Sequence, residues 1–146
     1  MTADHTAQLY EIRPATWNDW PRIAQLLTTA DLPLDGADEH LADFYVAGRS
    51  DDALAGVAGL EVYGNAALLR SVVAAERRQG LVQHVLAAAR ARGIRQLVLL
   101  TTTAADFFPR FGFRRIARSA TPAAVQWTRE FQDACPASAV MMIADL

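Results

Sequence analysis

In residues 69–92 a strand, a basic glycine turn and an amphipathic helix follow one another without a break, which leaves few folds open. Leu69-Arg70-Ser71-Val72-Val73 reads as a strand, and Arg77-Arg78-Gln79-Gly80-Leu81-Val82 carries the chain into a helix. In that helix Leu81, Val82, Val85, Leu86 and Ala89 recur at helical spacing, and Gly93 is suited to cap its end. Gln96-Leu97-Val98-Leu99-Leu100-Thr101 is then short and almost continuously apolar, as a strand covered on both faces should be. A strand, a helix and a second buried strand imply a right-handed crossover between parallel neighbours. The turn at the helix start presents unpaired backbone N–H groups at the positive end of the helix dipole, a setting that favours phosphate or pyrophosphate. The plainer alternative is an ordinary Arg-rich loop before a helix.

The remaining elements can be read around this unit. Leu9-Tyr10-Glu11-Ile12 alternates as a half-buried strand, and Arg13-Pro14 ends it. Thr16 is placed as an N-cap with Asp19 three residues on, and Ile23, Leu26 and Leu27 predict a first helix over residues 17–29. Asp31-Leu32-Pro33-Leu34-Asp35-Gly36 is a loop, followed by a short helix with His40, Leu41 and Phe44 on one face; this region should overhang the sheet. Residues 44–48 and 54–63 pair through a turn at Ser50-Asp51-Asp52, and Gly64-Asn65 turns the chain into residues 67–73, giving an antiparallel meander. Beyond the central strand we expect residues 103–108 to begin a short hydroxyl-capped helix that closes at the corner Phe111-Gly112-Phe113, and a strand over 114–117. Pro122 should open a helix running through Trp127 and Phe131 to Cys135-Pro136, before a last strand over 139–143.

At 146 residues the chain suits one domain, residues 1–146, with a single core. A net charge of −2 speaks against a nucleic-acid binder that works by neutralising phosphates. The lone Cys135 excludes an internal disulfide and fits a reducing compartment. No apolar run approaches the roughly 20 residues needed to span a bilayer, and the start has no signal-peptide pattern. We therefore expect a soluble cytoplasmic protein with no membrane or nucleic-acid partner. No spacing of His, Cys, Asp and Glu suggests a metal site.

The element order, with the basic turn after the fourth strand, resembles the GNAT family of N-acetyltransferases over nearly the whole chain. Arg77-Arg78-Gln79-Gly80-Leu81-Val82 is similar to the family's Q/R-x-x-G-x-G/A acetyl-CoA turn. Phe107-Phe108-Pro109-Arg110-Phe111-Gly112-Phe113 is similar to its F/Y-F/Y-x-x-x-G-F corner. Within the family, Leu68-Leu69-Arg70-Ser71, residues 99–108 and Cys135-Pro136-Ala137-Ser138-Ala139-Val140 resemble acetyltransferases associated with arsenic-resistance operons and, more distantly, the acetyltransferase domain of glutamate N-acetyltransferases. The resemblance implies an α/β (α+β) acyl-CoA N-acyltransferase fold, with a mixed sheet of six to seven strands flanked by helices. It implies acetyl-CoA as co-substrate and an amine acceptor of the anionic amino-acid kind, such as glutamate or its phosphinic or arsinic analogues.

Carried onto this sequence, the resemblance places Val72, Val73, Arg77, Arg78, Gln79, Gly80, Leu81, Val82, Thr103 and Phe108 at the cofactor. Phe108 stands where many members have a tyrosine that can protonate the leaving thiolate. Arg70 alternates with apolar neighbours on a central strand and needs an anionic partner. That partner is either a substrate carboxylate or a structural acid, Glu61 or Asp43. Ser71 and Thr102 are candidates for orienting water or substrate, although strand hydroxyls commonly bond local backbone. His40 and Ser138 are candidate substrate contacts; His5 and His84 carry no assigned role, and Cys135 reads as structural. The expected activity is direct acetyl transfer in a ternary complex. A non-catalytic acyl-CoA-binding module is the alternative from another class, and a protein N-terminal or lysine acetyltransferase is a further enzymatic one. Edge strands of such a sheet also make a homodimer plausible.

Overall fold

The computed structural model describes residues 11–48, 53–74, 78–126 and 139–146, with Arg78 and Gln79 as backbone only. Strand β1 (Glu11–Pro14) leads through a 3-10 turn (Trp17–Asp19) into helix α1 (Trp20–Thr29). A loop and a second 3-10 segment (Asp38–Asp43) precede β2 (Phe44–Gly48), β3 (Leu54–Tyr63) and β4 (Ala66–Ala74). Then come α2 (Arg78–Ala91), β5 (Gln96–Thr101), a 3-10 turn (Phe108–Phe111), β6 (Arg114–Arg115), α3 (Ala123–Gln126) and β7 (Val140–Asp145). Among the described residues the strands form one seven-stranded sheet in the order β1-β2-β3-β4-β5-β7-β6. The expected meander is present, and β4 and β5 are parallel neighbours as the crossover requires.

Alternation along the strands sends side chains to two opposite layers. On one face Phe44, Val46 and Val57 pack beneath Ile23 and Leu27 of α1. Leu68, Val98, Met141 and Ile143 continue that face beneath Val125 of α3. On the other face Ala58, Leu60, Leu69, Leu97 and Leu99 meet Leu81, Val82, Val85, Leu86 and Ala89 of α2, together with Phe108 and Phe113. The helical spacing read in residues 81–89 is thus a buried stripe.

Several expected boundaries move. The first helix divides into a 3-10 turn and α1, and the segment containing His40 is a 3-10 stretch broken at His40, whose φ of −110° is not helical. The helix expected to begin in residues 103–108 starts only at Phe108 and runs to Phe111, after a turn whose capping hydroxyl is that of Thr101, which accepts the Ala104 N–H at 2.9 Å. The corner is as read: Gly112 holds φ +91°, a left-handed conformation that glycine adopts without a Cβ penalty. β6 has only two residues, and β7 begins at Val140. The turn at residues 50–52, the course of the chain through Trp127 and Phe131, and Cys135 lie outside the described residues.

The start of α1 is held by charge. Both oxygens of the Asp19 carboxylate accept from the Arg13 guanidinium, at 2.8 and 2.9 Å, and one also accepts the Thr16 N–H at 2.8 Å. The Arg13 hydrogen bonds hold the Asp19 pKa down at about 2, against desolvation that would raise it. The folded state therefore binds fewer protons than the unfolded chain between pH 4 and 2. Stability from this group is fully present above that window and is lost as pH falls through it. Asp19→Asn should cost about 2 kcal/mol at pH 7, and the difference from wild type should close near pH 2. Thermal unfolding of both proteins across pH 2–7 measures this; a gap that persists unchanged at pH 2 would reject it.

Candidate functional site

The sheet opens where β4 and β5 part. Their parallel ladder covers only Ala66 to Leu68 against Gln96 to Val98. Beyond it β4 continues to Ala74 against β3, and β5 continues to Thr101 against β7, so the two facing edges have no ladder between them. A bulge accompanies the separation. Gly59 pairs with Arg70 and Val57 with Val73, so Ala58 alone lies opposite both Ser71 and Val72. Ser71 takes up the extra length at φ +60°, a conformation rare for a residue with a side chain. The bulge also resets the alternation, so that Val72 reaches the α2 layer and Val73 the α1 layer.

The parting creates a cleft of about 620 Å³, within the range usual for small-molecule sites. One wall is residues 69–74 of β4, and the opposite wall is the end of β5 with Thr102, Thr103 and Phe108. The loop at Asp31, Leu32 and Pro33 closes a third side. Thr102 and Thr103 are exposed, whereas Phe108 is buried and packs edge-on against Phe107 and Phe113 at ring separations of 5.1 and 5.6 Å.

Arg70 lies at the base of the bulge with its side chain fully buried. Its Nη1 donates to Glu61 Oε2 at 2.6 Å and to the Asp35 carbonyl at 2.5 Å. Its Nη2 donates to the Pro33 carbonyl at 3.1 Å, and its Nε to Ser71 Oγ at 3.0 Å. Glu61 also accepts the Tyr63 hydroxyl at 2.5 Å, with His40 Nε2 at 3.5 Å. Burial and the Glu61 carboxylate raise the Tyr63 pKa, so its hydroxyl remains a donor. Of the two readings of Arg70, the structural ion pair with Glu61 is therefore the one formed. Every nitrogen of the guanidinium has a hydrogen-bond partner inside the protein. Asp43 pairs with Arg92 instead, at 2.7 Å.

At the end of β4 the chain enters α2. Leu81 and Val82 are wholly buried, so at these two positions only the backbone can face a ligand beyond the helix start. A Cβ built on Gly80 meets no atom within 4 Å. The residues thus fit a phosphate group: open space over a glycine, and first-turn N–H groups that have no partner inside the helix.

The structure brings Ser71, Val72, Val73, Thr102, Thr103 and Phe108 around one cleft. Gly80, Leu81 and Val82 are in the first turns of α2, as are the backbones of Arg78 and Gln79. His40 is not among the cleft-lining residues and instead lies beside Glu61 and Tyr63, with its ring 6.0 Å from the Tyr63 ring. Arg77 and Ser138 fall outside the described residues. The sequence reading missed Asp31 and Pro33 as wall residues and Thr101 as the cap that folds the loop after β5. A hydroxyl at the end of an apolar strand was the available signal for Thr101. Among the described residues no three His, Cys, Asp or Glu side chains are grouped to hold a metal, and no helix is long and apolar enough to cross a membrane.

No family model matches the chain, and no curated protein matches it by sequence. Solved structures do match by shape. N-acetylglutamate synthase from Neisseria gonorrhoeae, complexed with coenzyme A and N-acetyl-glutamate, superposes with a TM-score of 0.77 at 20% identity over 94% of this chain. The chain spans only 35% of that protein's length. The Mycobacterium tuberculosis protein Rv2747, in complex with CoA and a second ligand, gives 0.77 at 23% identity, covering 93% of this chain and 99% of that one. An acetyltransferase of the GNAT family from Staphylococcus aureus MU50 gives 0.76 at 15% identity, covering 94% and 99%. The chain has the GNAT acyl-CoA N-acyltransferase fold, with the cleft opening between its two central parallel strands.

The buried ion pair has a measurable consequence. Arg70→Met should destabilise by about 3–5 kcal/mol, because it leaves the Glu61 carboxylate buried without its cation. Arg70→Met with Glu61→Gln should recover most of that loss, since no charge is then left uncompensated and the amide can still accept from Tyr63. Urea unfolding of the two variants decides it. If the double variant is no more stable than the single one, the pair is not what stabilises this part of the sheet.

Proposed function

We propose that the protein is an acetyl-CoA-dependent N-acetyltransferase, transferring acetyl to the amine of a small amino-acid-like acceptor by direct attack in a ternary complex. One observation carries this reading: the open backbone edges of β4 and β5 line a cleft, and α2 begins at Arg78, four residues on from the end of β4, with free space over Gly80. The coenzyme would supply an activated acyl group as a thioester. Residues of this chain would hold it in extended form. Backbone N–H groups near Val72 and Val73 would pair with the pantetheine arm. The first turn of α2, from Arg78 to Val82, would take the pyrophosphate. Thr103 and Phe108 would flank the thiol end. Holding amine and carbonyl within about 3–3.5 Å supplies much of the acceleration such a transfer needs.

The acceptor would enter on the side of Asp31, Leu32 and Pro33, with the hydroxyls of Ser71 and Thr102 on the two facing walls. Amino-acid acceptors are supported by the N-acetyl-glutamate bound to the Neisseria synthase. Glutamate and its phosphinic and arsinic analogues are therefore the first acceptors to try, with Ser138 a candidate contact. Arg70 has no part in clamping an anion in this reading. A non-catalytic acyl-CoA-binding role is favoured by one feature: Phe108 lines the cleft with no hydroxyl to protonate a departing thiolate.

Thermal unfolding with saturating acetyl-CoA, with CoA and with neither is the first test. Occupancy at about 100 times Kd should add about 2.7 kcal/mol, a midpoint rise of several degrees. Gly80→Ala should leave the ligand-free midpoint equal or higher, since alanine is the better helix former, while shrinking the rise given by either ligand. No rise in the wild type would remove the cofactor reading. Binding without thiol release from any amine would favour the non-catalytic one.

A further inference from the structure

We propose that Arg70 is a positioning residue for the acyl group, acting through Ser71. A serine hydroxyl has one hydrogen to donate and two lone pairs. Ser71 Oγ accepts the Arg70 Nε–H at 3.0 Å, so its own O–H is left to point away from the guanidinium. Ser71 is the extra residue of the β4 bulge and lines the cleft where β4 leaves β5. Its φ of +60° departs from the strand conformation and re-aims the side chain at that point. The hydroxyl is thereby set as a donor to the carbonyl oxygen of a bound acyl group.

The guanidinium is itself held rigidly. Glu61, buried on β3, anchors Nη1, which also donates to the Asp35 carbonyl, and the Pro33 carbonyl accepts from Nη2. The loop packs closely over it, since a Cβ on Gly36 would meet Nη1 at 3.4 Å. One cation thus ties the wall at Pro33 to the hydroxyl at Ser71 across the same cleft. A purely structural Arg70 would require Glu61 and the loop carbonyls only. The bond to Ser71 is the one that extends to the ligand side.

This inference rests on the cofactor reading above, and its test separates the two. The affinities of acetyl-CoA and of CoA are measured by calorimetry for the wild type, Ser71→Ala, Arg70→Lys, and Arg70→Met with Glu61→Gln. The wild type should prefer acetyl-CoA by about 2- to 10-fold, the value of one net hydrogen bond. Ser71→Ala should abolish the preference while leaving CoA affinity unchanged. Arg70→Lys keeps the charge beside Glu61 but has no Nε–H for Ser71, so it should fold and also lose the preference. The neutral double variant should do the same, and adding Ser71→Ala to it should change nothing further. Preference retained in either Arg70 variant overturns the inference, as does equal affinity of both ligands for the wild type. Binding of neither ligand by the wild type overturns the cofactor reading and this inference with it.

Discussion

A guanidinium wholly removed from water must find its counter-charge and its hydrogen-bond partners within the protein, and Arg70 on β4 meets that demand at the most consequential point of the sheet. The cost of desolvating such a cation is several kcal/mol, which an isolated ion pair only partly offsets. Here Glu61 supplies the charge and two loop carbonyls and one hydroxyl satisfy further donors. Because two of those partners belong to the loop before β2, satisfying Arg70 requires the loop to close over this face of the sheet. The overhang is a consequence of solvating a buried cation with backbone.

The bulge at Ser71 is joined to the same requirement. Up to Arg70 the β3 and β4 register is regular; one residue later it shifts, and the chain of β4 is carried on against β3 alone. On the opposite side β5 is secured along its whole length by β7, so it does not follow β4. The cleft is the gap left when each strand stays with its outer neighbour. Its backbone edges are kept open by the sheet's own pairing, while the apolar faces above and below are closed by α1 and α2. Apolar packing therefore makes the walls rigid without occupying the space between them.

Much of this was legible in the chain, for physical reasons that differ by element. The crossover of residues 69–101 was clear because a 3.6-residue apolar repeat between two β-rich runs admits one handedness and one neighbour relation. Gly64, Gly93 and Gly112 marked their turns because each holds a positive φ. Helix ends were less visible. A hydroxyl cap was expected for the segment after β5, and only the three-dimensional course of the loop shows that the Ala104 N–H reaches Thr101. The role of Arg70 was undecidable along the chain, since a substrate carboxylate and Glu61 satisfy the same local demand. Glu61 opposes Leu68 in the ladder, which puts its side chain on the same face as Arg70 and within reach of it. The clefts of such folds are walled by long-range pairs of this kind, and sequence spacing carries little information about them.

The chemistry proposed for the cleft is modest, and that bears on how its side chains would be used. Transfer from a thioester to an amine needs approach, alignment and a donor for the carbonyl oxygen, where negative charge builds as the amine attacks. Backbone edges and a helix N-terminus would supply the first two without ionisable groups. Phe108 replaces a possible proton donor with a ring that packs into the Phe107 and Phe113 cluster, so its position contributes shape rather than a proton. The side-chain donor proposed at the parting of the strands is then Ser71, and it is bonded to a cation that is fully buried and paired with Glu61. A hydroxyl held in this way loses little freedom when a ligand arrives, and that saving distinguishes an oriented donor from one of the exposed threonines across the cleft.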